Sequence, residues 1–146
     1  MKELFDVHCH MVPGVDDGAA DLEESLAMLK MQHEDGVRKI IITPHYRRRM
    51  FETPAKKVHE QFLKLQEAAK KEYPDMSLYL GCELHSNMDL QDILEKRKYV
   101  TMAGSSYVLL EFSEGDSAQH IRERVYNVLS CGYEPIIAHV ERYQAT

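Results

Sequence analysis

The sequence predicts an α/β fold of parallel strands joined by helical crossovers, and three observations predict it. Five short apolar segments alternate with four segments of helical periodicity. No hairpin turn signal joins consecutive strands. The strands are apolar on both faces, as in Ile40-Ile41-Ile42, Val108-Leu109-Leu110 and Ile136-Ile137-Ala138. Such strands belong to a covered sheet, and the alternation implies right-handed crossovers between parallel neighbours. An open doubly wound sheet and a segment of a (β/α) barrel both satisfy this pattern.

The elements follow in order. Leu4 to Val7 is a short apolar strand. Asp21 opens the first helix, Glu24 completes a capping-box pattern, and Leu22, Leu26, Leu29 and His33 mark its buried stripe. Gly36 ends that helix, and Val37 to Thr43 forms the second strand. Thr53 is expected to cap the second helix, with Pro54 at its first position and Val58, Phe62, Leu65 and Ala69 as its apolar stripe. Ser77 to Gly81 is the third strand, Asp89 to Lys96 a shorter helix, and Tyr107 to Phe112 the fourth strand. Ser117 to Ser130 is the fourth helix, with Gly132 beyond its end, and Glu134 to His139 is the fifth strand. There is no residue-level repeat and no low-complexity linker.

A length of 146 residues with 44% hydrophobic content fits one domain with one ordinary core. The net charge of −6 argues against a nucleic-acid binder working through a broad basic face. No apolar run approaches the roughly 20 residues of a membrane helix. Met1-Lys2-Glu3-Leu4-Phe5-Asp6 leads straight into a strand, without the apolar region of a signal peptide. Three cysteines without paired spacing fit a reducing cytosol better than a disulfide framework.

Each strand runs at once into a residue able to ligate a metal. The first leads to Asp6-Val7-His8-Cys9-His10, the second to Thr43-Pro44-His45 and the third to Gly81-Cys82-Glu83. The fourth carries Glu111 and the fifth ends in Ala138-His139. Functional side chains converge at the carboxyl ends of parallel strands. One strand-end histidine is ordinarily a hydrogen-bonded structural residue; ligand-type residues at all five ends predict a metal site. Alternation along an extended segment turns His8 and His10 to one side and Cys9 to the other, so Cys9, like Cys82 beside Glu83, reads as a packing residue. Of Asp16 and Asp17, either reaches the metals or shapes the turn before the first helix, and spacing does not choose. Imidazole and carboxylate without thiolate suits manganese, iron or zinc rather than a structural zinc knot. His33, His59 and His120 fall within helices as surface or packing residues, and His85 stands close to Glu83.

Cations gather beside these ligands, with Arg47-Arg48-Arg49 after His45 and Arg142 after His139. Three successive arginines are often a solvated loop; in an acidic protein, next to a metal site, they are also arranged to meet a phosphate dianion. A cysteine-based phosphatase is excluded, because Val15, Met88 and Ile137 stand six residues after Cys9, Cys82 and Cys131, where that chemistry needs arginine. No Walker loop or nucleophile elbow is present.

Taken in order, Asp6-Val7-His8-Cys9-His10, Val15-Asp16-Asp17-Gly18, Thr43-Pro44-His45, Gly81-Cys82-Glu83, Leu109-Leu110-Glu111-Phe112 and Ala138-His139-Val140-Glu141-Arg142-Tyr143 resemble the polymerase and histidinol phosphatase (PHP) superfamily. With Met50-Phe51-Glu52-Thr53-Pro54 they are similar to its manganese-dependent protein-tyrosine phosphatases of bacterial capsule and exopolysaccharide synthesis. The resemblance covers essentially the whole chain, and the ordered set is far more specific than any one motif.

The resemblance implies a distorted (β/α)7 barrel, of which these five strands and four helices form part, and a single phosphoesterase domain over residues 1–146. It implies up to three manganese ions, with iron or zinc as alternatives. His8, His10 and Glu83 would hold the first, Glu83, Glu111 and His139 the second, and Asp17 with His45 the third, which favours Asp17 over Asp16. Arg142 and an arginine among Arg47 to Arg49, Arg47 and Arg48 foremost, would meet the phosphate. The implied reaction is metal-assisted hydrolysis of phosphotyrosine by water, on the tyrosine-rich tail of a membrane-associated bacterial tyrosine kinase. The implied setting is cytoplasmic, without nucleic acid or membrane insertion. The family also carries a late Asp-x-His motif supplying further ligands to the first and third metals. This sequence lacks it, so the chain is expected to be the N-terminal, truncated part of the fold, with only the second metal keeping all its side-chain ligands. Its first and fifth strands would then be open edges, available for homo-oligomer contacts. A phosphatase for a small metabolite such as histidinol phosphate, or a non-catalytic metal-binding remnant, are the competing readings.

Overall fold

The computed structural model describes residues 3–144; Met1, Lys2, Ala145 and Thr146, on which the reading of the chain's two ends touches, lie outside them. The elements are β1 (Leu4–Asp6), α1 (Leu22–Glu34), β2 (Val37–Ile42), β3 (His45–Tyr46), α2 (Ala55–Glu72), β4 (Ser77–Leu80), β5 (Glu83–His85), α3 (Leu90–Lys96), β6 (Tyr107–Glu111), α4 (Ala118–Ser130) and β7 (Glu134–Ile137). Short 3₁₀ turns cover Met102–Gly104 and Val140–Arg142.

All strand pairings are parallel, in two sheets of order β1-β2-β4 and β3-β5-β6-β7. Five of the seven strands among the described residues are the expected ones; β3 and β5 are short further strands beyond the expected ends at Thr43 and Gly81. Pro44 has no N–H to give a ladder and separates β2 from β3. Gly81-Cys82 likewise separates β4 from β5. Across the breaks Gly81 N donates to Ile42 O at 2.8 Å and Glu83 N to Pro44 O at 2.9 Å, so the two sheets run on as one surface. Strands of two and three residues carry no readable period, which is why sequence alone did not show them. Chain order and spatial order coincide throughout, as in a barrel segment; a doubly wound sheet reverses its order at a switch point.

The helices pack on one face of this surface. Under α1 and α2 lie Leu29, Ile40, Ile42, Val58, Phe62, Leu65, Leu78 and Leu80; under α3 and α4 lie Leu84, Leu90, Leu94, Val108, Leu110, Ile121 and Val128. The opposite face holds a small cluster of Ile41, Met102, Leu109 and Ala138. Around it Phe5, Tyr79, Tyr107 and Ile136 are exposed. Apolar residues on both strand faces thus do not mean helices on both faces here.

Two local expectations need correction. Leu22 is exposed, and the buried residues of α1 are Ser25 and Leu29, with Leu26 and Met28 packed alongside. Ser25 is tolerated inside because its hydroxyl donates to Met11 O at 2.6 Å. Thr53 does not cap α2; Pro54 is the N-cap residue, and the Thr53 hydroxyl donates to Val15 O at 3.0 Å instead. The cap of α1 is as expected, with Asp21 Oδ1 accepting from Glu24 N at 2.8 Å.

Candidate metal centre

The carboxyl ends of the strands bring five imidazole and carboxylate side chains around Glu83. This glutamate opens β5 and is 1% exposed. Its Oε1 lies 2.8 Å from His8 Nε2 and 2.9 Å from His10 Nε2, and its Oε2 lies 3.1 Å from His139 Nε2. His45 Nδ1 stands 3.5 Å from Oε1 of both Glu83 and Glu111, and Glu111 Oε2 is 3.3 Å from His139 Nε2. Glu83 and Glu111 are on the sheet face away from the helices, in register with Leu109 and His85. The two imidazoles of the first motif point together, and Cys9 between them packs against the core under α1 and α2.

Two groups have ligand atoms within 4.8 Å of one another: His8, His10 and Glu83, and His45, Glu83 and Glu111. Glu83 belongs to both. The donor set of neutral imidazole and carboxylate oxygen suits a first-row divalent ion. His45 Nδ1, Glu111 Oε1 and His139 Nδ1 are buried without a hydrogen-bond partner among the described residues. His139 also adopts φ 35°, a left-handed conformation costly for a side chain with a Cβ. Buried polar atoms without hydrogen bonds, one of them on the strained His139, fit ligands arranged for a cation. The Tyr143 ring packs edge-on to His139 at 5.6 Å, and its hydroxyl accepts from Phe112 N at 2.9 Å, which ties the end of β7 to β6.

The two aspartates separate by burial. Asp16 Oδ2 accepts from His45 N at 2.9 Å and lies 3.1 Å from His10 Nδ1, while Oδ1 accepts from Gly18 N at 2.9 Å. Asp17 is 65% exposed on its side chain, lines the cavity above the cluster, and sits 3.6 Å from His45 Nε2. The turn that follows them has room only for glycine at position 18, where a Cβ would lie 2.1 Å from His10 O.

Electrostatics follow from these contacts. Burial opposes charge on Glu83, yet hydrogen bonds from His10 and His8 hold its carboxyl well below the usual range. Burial likewise disfavours the His10 imidazolium, but Asp16 and Glu83 outweigh it and raise the pKa to about 10. Burial pushes the Cys82 thiol up to about 12, and Cys9 is raised for the same reason, so neither is a poised nucleophile.

The cluster floors a cavity of about 530 Å³ that all seven expected ligands line: His8, His10, Asp17, His45, Glu83, Glu111 and His139. Arg47, Arg142, Met50 and Phe51 form its walls. Arg48 is not among them. The backbones of Arg47 and Phe51 pair across a tight turn, and Arg48 is exposed at its tip. His85 turns away from the cavity, accepting from Asn87 N at Nδ1 (3.1 Å) and lying 3.3 Å from Ser113 Oγ at Nε2. His33, His59 and His120 serve packing and surface contacts with Asp75, Tyr99 and Phe112. Sequence reasoning passed over Met50 and Phe51 as wall residues; their place directly after the arginine run was the available signal.

Comparison with known proteins agrees with this architecture. Residues 4–146 match the family described as capsular polysaccharide synthesis, CpsB/CapC. The tyrosine-protein phosphatase CpsB of Streptococcus pneumoniae is 42% identical over 142 residues, covering 97% of this chain and 58% of that protein. The tyrosine-protein phosphatase YwqE of Bacillus subtilis is 30% identical over 139 residues, covering 95% of this chain and 55% of that protein. A structure from the set solved for YwqE of Bacillus subtilis and CpsB of Streptococcus pneumoniae, described as metal-dependent tyrosine phosphatases, superposes with a TM-score of 0.86. It is 30% identical, with 97% of this chain and 57% of that chain covered. The chain thus spans a little over half the length of these relatives.

Proposed function

The chain belongs to the CpsB/CapC family of capsular polysaccharide synthesis, and from that premise we propose that its cavity is the site of a metal-dependent protein-tyrosine phosphatase. The observation that carries this is Glu83, a buried carboxylate shared by two ligand groups beneath two arginines. His8, His10 and Glu83 would hold one divalent ion, Glu83 and Glu111 with His139 a second, and Asp17 with His45 would contribute to a third, although the second close group places His45 rather than His139 beside Glu83 and Glu111. Manganese is the ion we assign. Bound there, such ions supply Lewis acidity toward phosphate oxygens and acidify water. The protein's own part is positional. Glu83 keeps its charge inside the protein because imidazoles surround it. Asp16 orients His10, and Arg47 and Arg142 bring opposite charge to a phosphate dianion at the cavity wall.

The substrate we assign is phosphotyrosine on the tail of a tyrosine kinase controlling capsule export, consistent with the relatives' names. Residues 1–146 are read as one PHP-type domain acting in the cytoplasm, in keeping with three free cysteines. No helix among the described residues is long and apolar enough to cross a membrane. The outer edges of β1 and β7, each with one strand neighbour, are where a second copy would pair. Hydrolysis of a phosphotyrosine peptide by this chain, with manganese added and then chelated, tests the assignment. Turnover that the chelator abolishes is expected; turnover indifferent both to chelator and to Glu83→Ala would refute it.

A further inference from the structure

Part of the cavity wall, beside His45, is apolar, and the metal-ligand reading leaves it unused. Met50 is 57% exposed, and Phe51 stacks on His45 with ring centroids 5.2 Å apart and planes 18° from parallel. Both residues line the same cavity as Arg47 and Arg142. The loop carrying them is held at every turn. Arg47 N donates to Phe51 O at 2.8 Å and Phe51 N returns the bond at 2.9 Å. Arg97 Nη2 donates to Thr53 O at 2.9 Å while its guanidinium lies 3.6 Å over the Tyr46 ring, and Thr53 is fastened in turn to Val15 O.

We infer that Met50 and Phe51 form a fixed apolar lip that selects aryl over alkyl phosphate esters. This rests on the phosphatase reading of the cavity. With the phosphate held at the histidines and arginines, the organic group of the ester leaves through the rim. In an aryl ester the first group there is a flat ring, which offers Phe51 an offset stack and Met50 a polarizable contact. In an alkyl ester it is a narrow methylene that covers neither. Because the loop is already ordered, the contact does not have to offset the entropy of closing it.

The test uses two phosphonates that cannot be hydrolysed, benzylphosphonate and methylphosphonate, titrated calorimetrically into the manganese-supplemented chain. Benzylphosphonate is expected to bind about tenfold more tightly, the scale of one aromatic contact with its burial. That ratio falls toward one in Phe51→Ala, falls partway in Met50→Ala, and is kept in Phe51→Tyr, which preserves the ring. Equal binding of the two phosphonates to the unaltered chain overturns the lip while leaving the anion site intact. A preference unchanged in both alanine variants overturns it as well. Absence of binding by either phosphonate overturns the phosphatase reading and the lip with it.

Discussion

Asp16 Oδ2 lies 3.1 Å from His10 Nδ1, and the same oxygen accepts from the backbone N–H of His45 at 2.9 Å. One buried carboxylate therefore sets two of the candidate ligands. Once His10 gives up its Nε2 proton for ligation, Nδ1–H stays with Asp16 and the lone pair is at Nε2, the atom facing Glu83. Both Asp16 oxygens accept from backbone N–H groups, so in Asp16→Asn the amide nitrogen must face one of those donors, and the carboxylate's hold on the His10 ring is lost. Affinity for manganese should fall about 10–100-fold, the usual cost of losing such a partner. A chelator-dye competition measures it, and unchanged affinity would remove Asp16 from the site.

Glu83 and Glu111 differ in a way that stoichiometry reads. Glu83 belongs to both ligand groups, whereas Glu111 belongs to one. Glu83→Ala should abolish tight binding at both positions, while Glu111→Ala should leave the His8, His10 and Glu83 group able to bind. Metal content per chain after gel filtration separates the cases; equal loss in both variants contradicts the shared role of Glu83.

The order of strands and helices and six of the seven cavity-lining candidate ligands were readable because each depends on a local signal: a hydrophobic period, a cap, or a polar residue at a strand end. Asp17, by contrast, was favoured by the family resemblance alone. Asp16 and Asp17 have the same spacing signal, and only folding buries one and exposes the other. The expectation of Thr53 as a cap failed because its hydroxyl found Val15 O, a partner 38 residues away that no window around the helix contains. Arg47 and Arg48 are chemically identical neighbours. The backbone pairing of Arg47 with Phe51 turns one to the cavity and leaves the other at the tip.

That division of the arginines has a kinetic consequence. Arg47→Ala and Arg142→Ala remove a cation from the cavity wall and should raise KM for an aryl phosphate by about tenfold or more, the scale of a charge-assisted hydrogen bond of roughly 1.5–3 kcal/mol. Arg48→Ala, at an exposed turn, should leave KM within about twofold, since surface substitutions of this kind cost within about 0.5 kcal/mol. Steady-state assays on all three decide it, and an Arg48 effect as large as that of Arg47 would put the phosphate on the outside of the loop.

Metal binding should be coupled to proton release through His10. Without metal, burial disfavours the imidazolium, and Asp16 and Glu83 reverse that, so the pKa stands at about 10 against an ordinary 6.5. At neutral pH the ring is charged, and ligation requires it neutral. Manganese should therefore bind more tightly as pH rises toward about 10, with a proton leaving on each binding event. The sign for stability is the reverse. A folded pKa raised above the unfolded one gives the metal-free protein stability that is complete below about 6.5 and lost as pH climbs through about 10. Metal-free chain should thus show a falling melting temperature across that window, and the manganese-loaded chain should not. Calorimetry in buffers of different ionisation enthalpy reads the proton directly; a binding enthalpy independent of buffer would show that His10 is already neutral before the metal arrives.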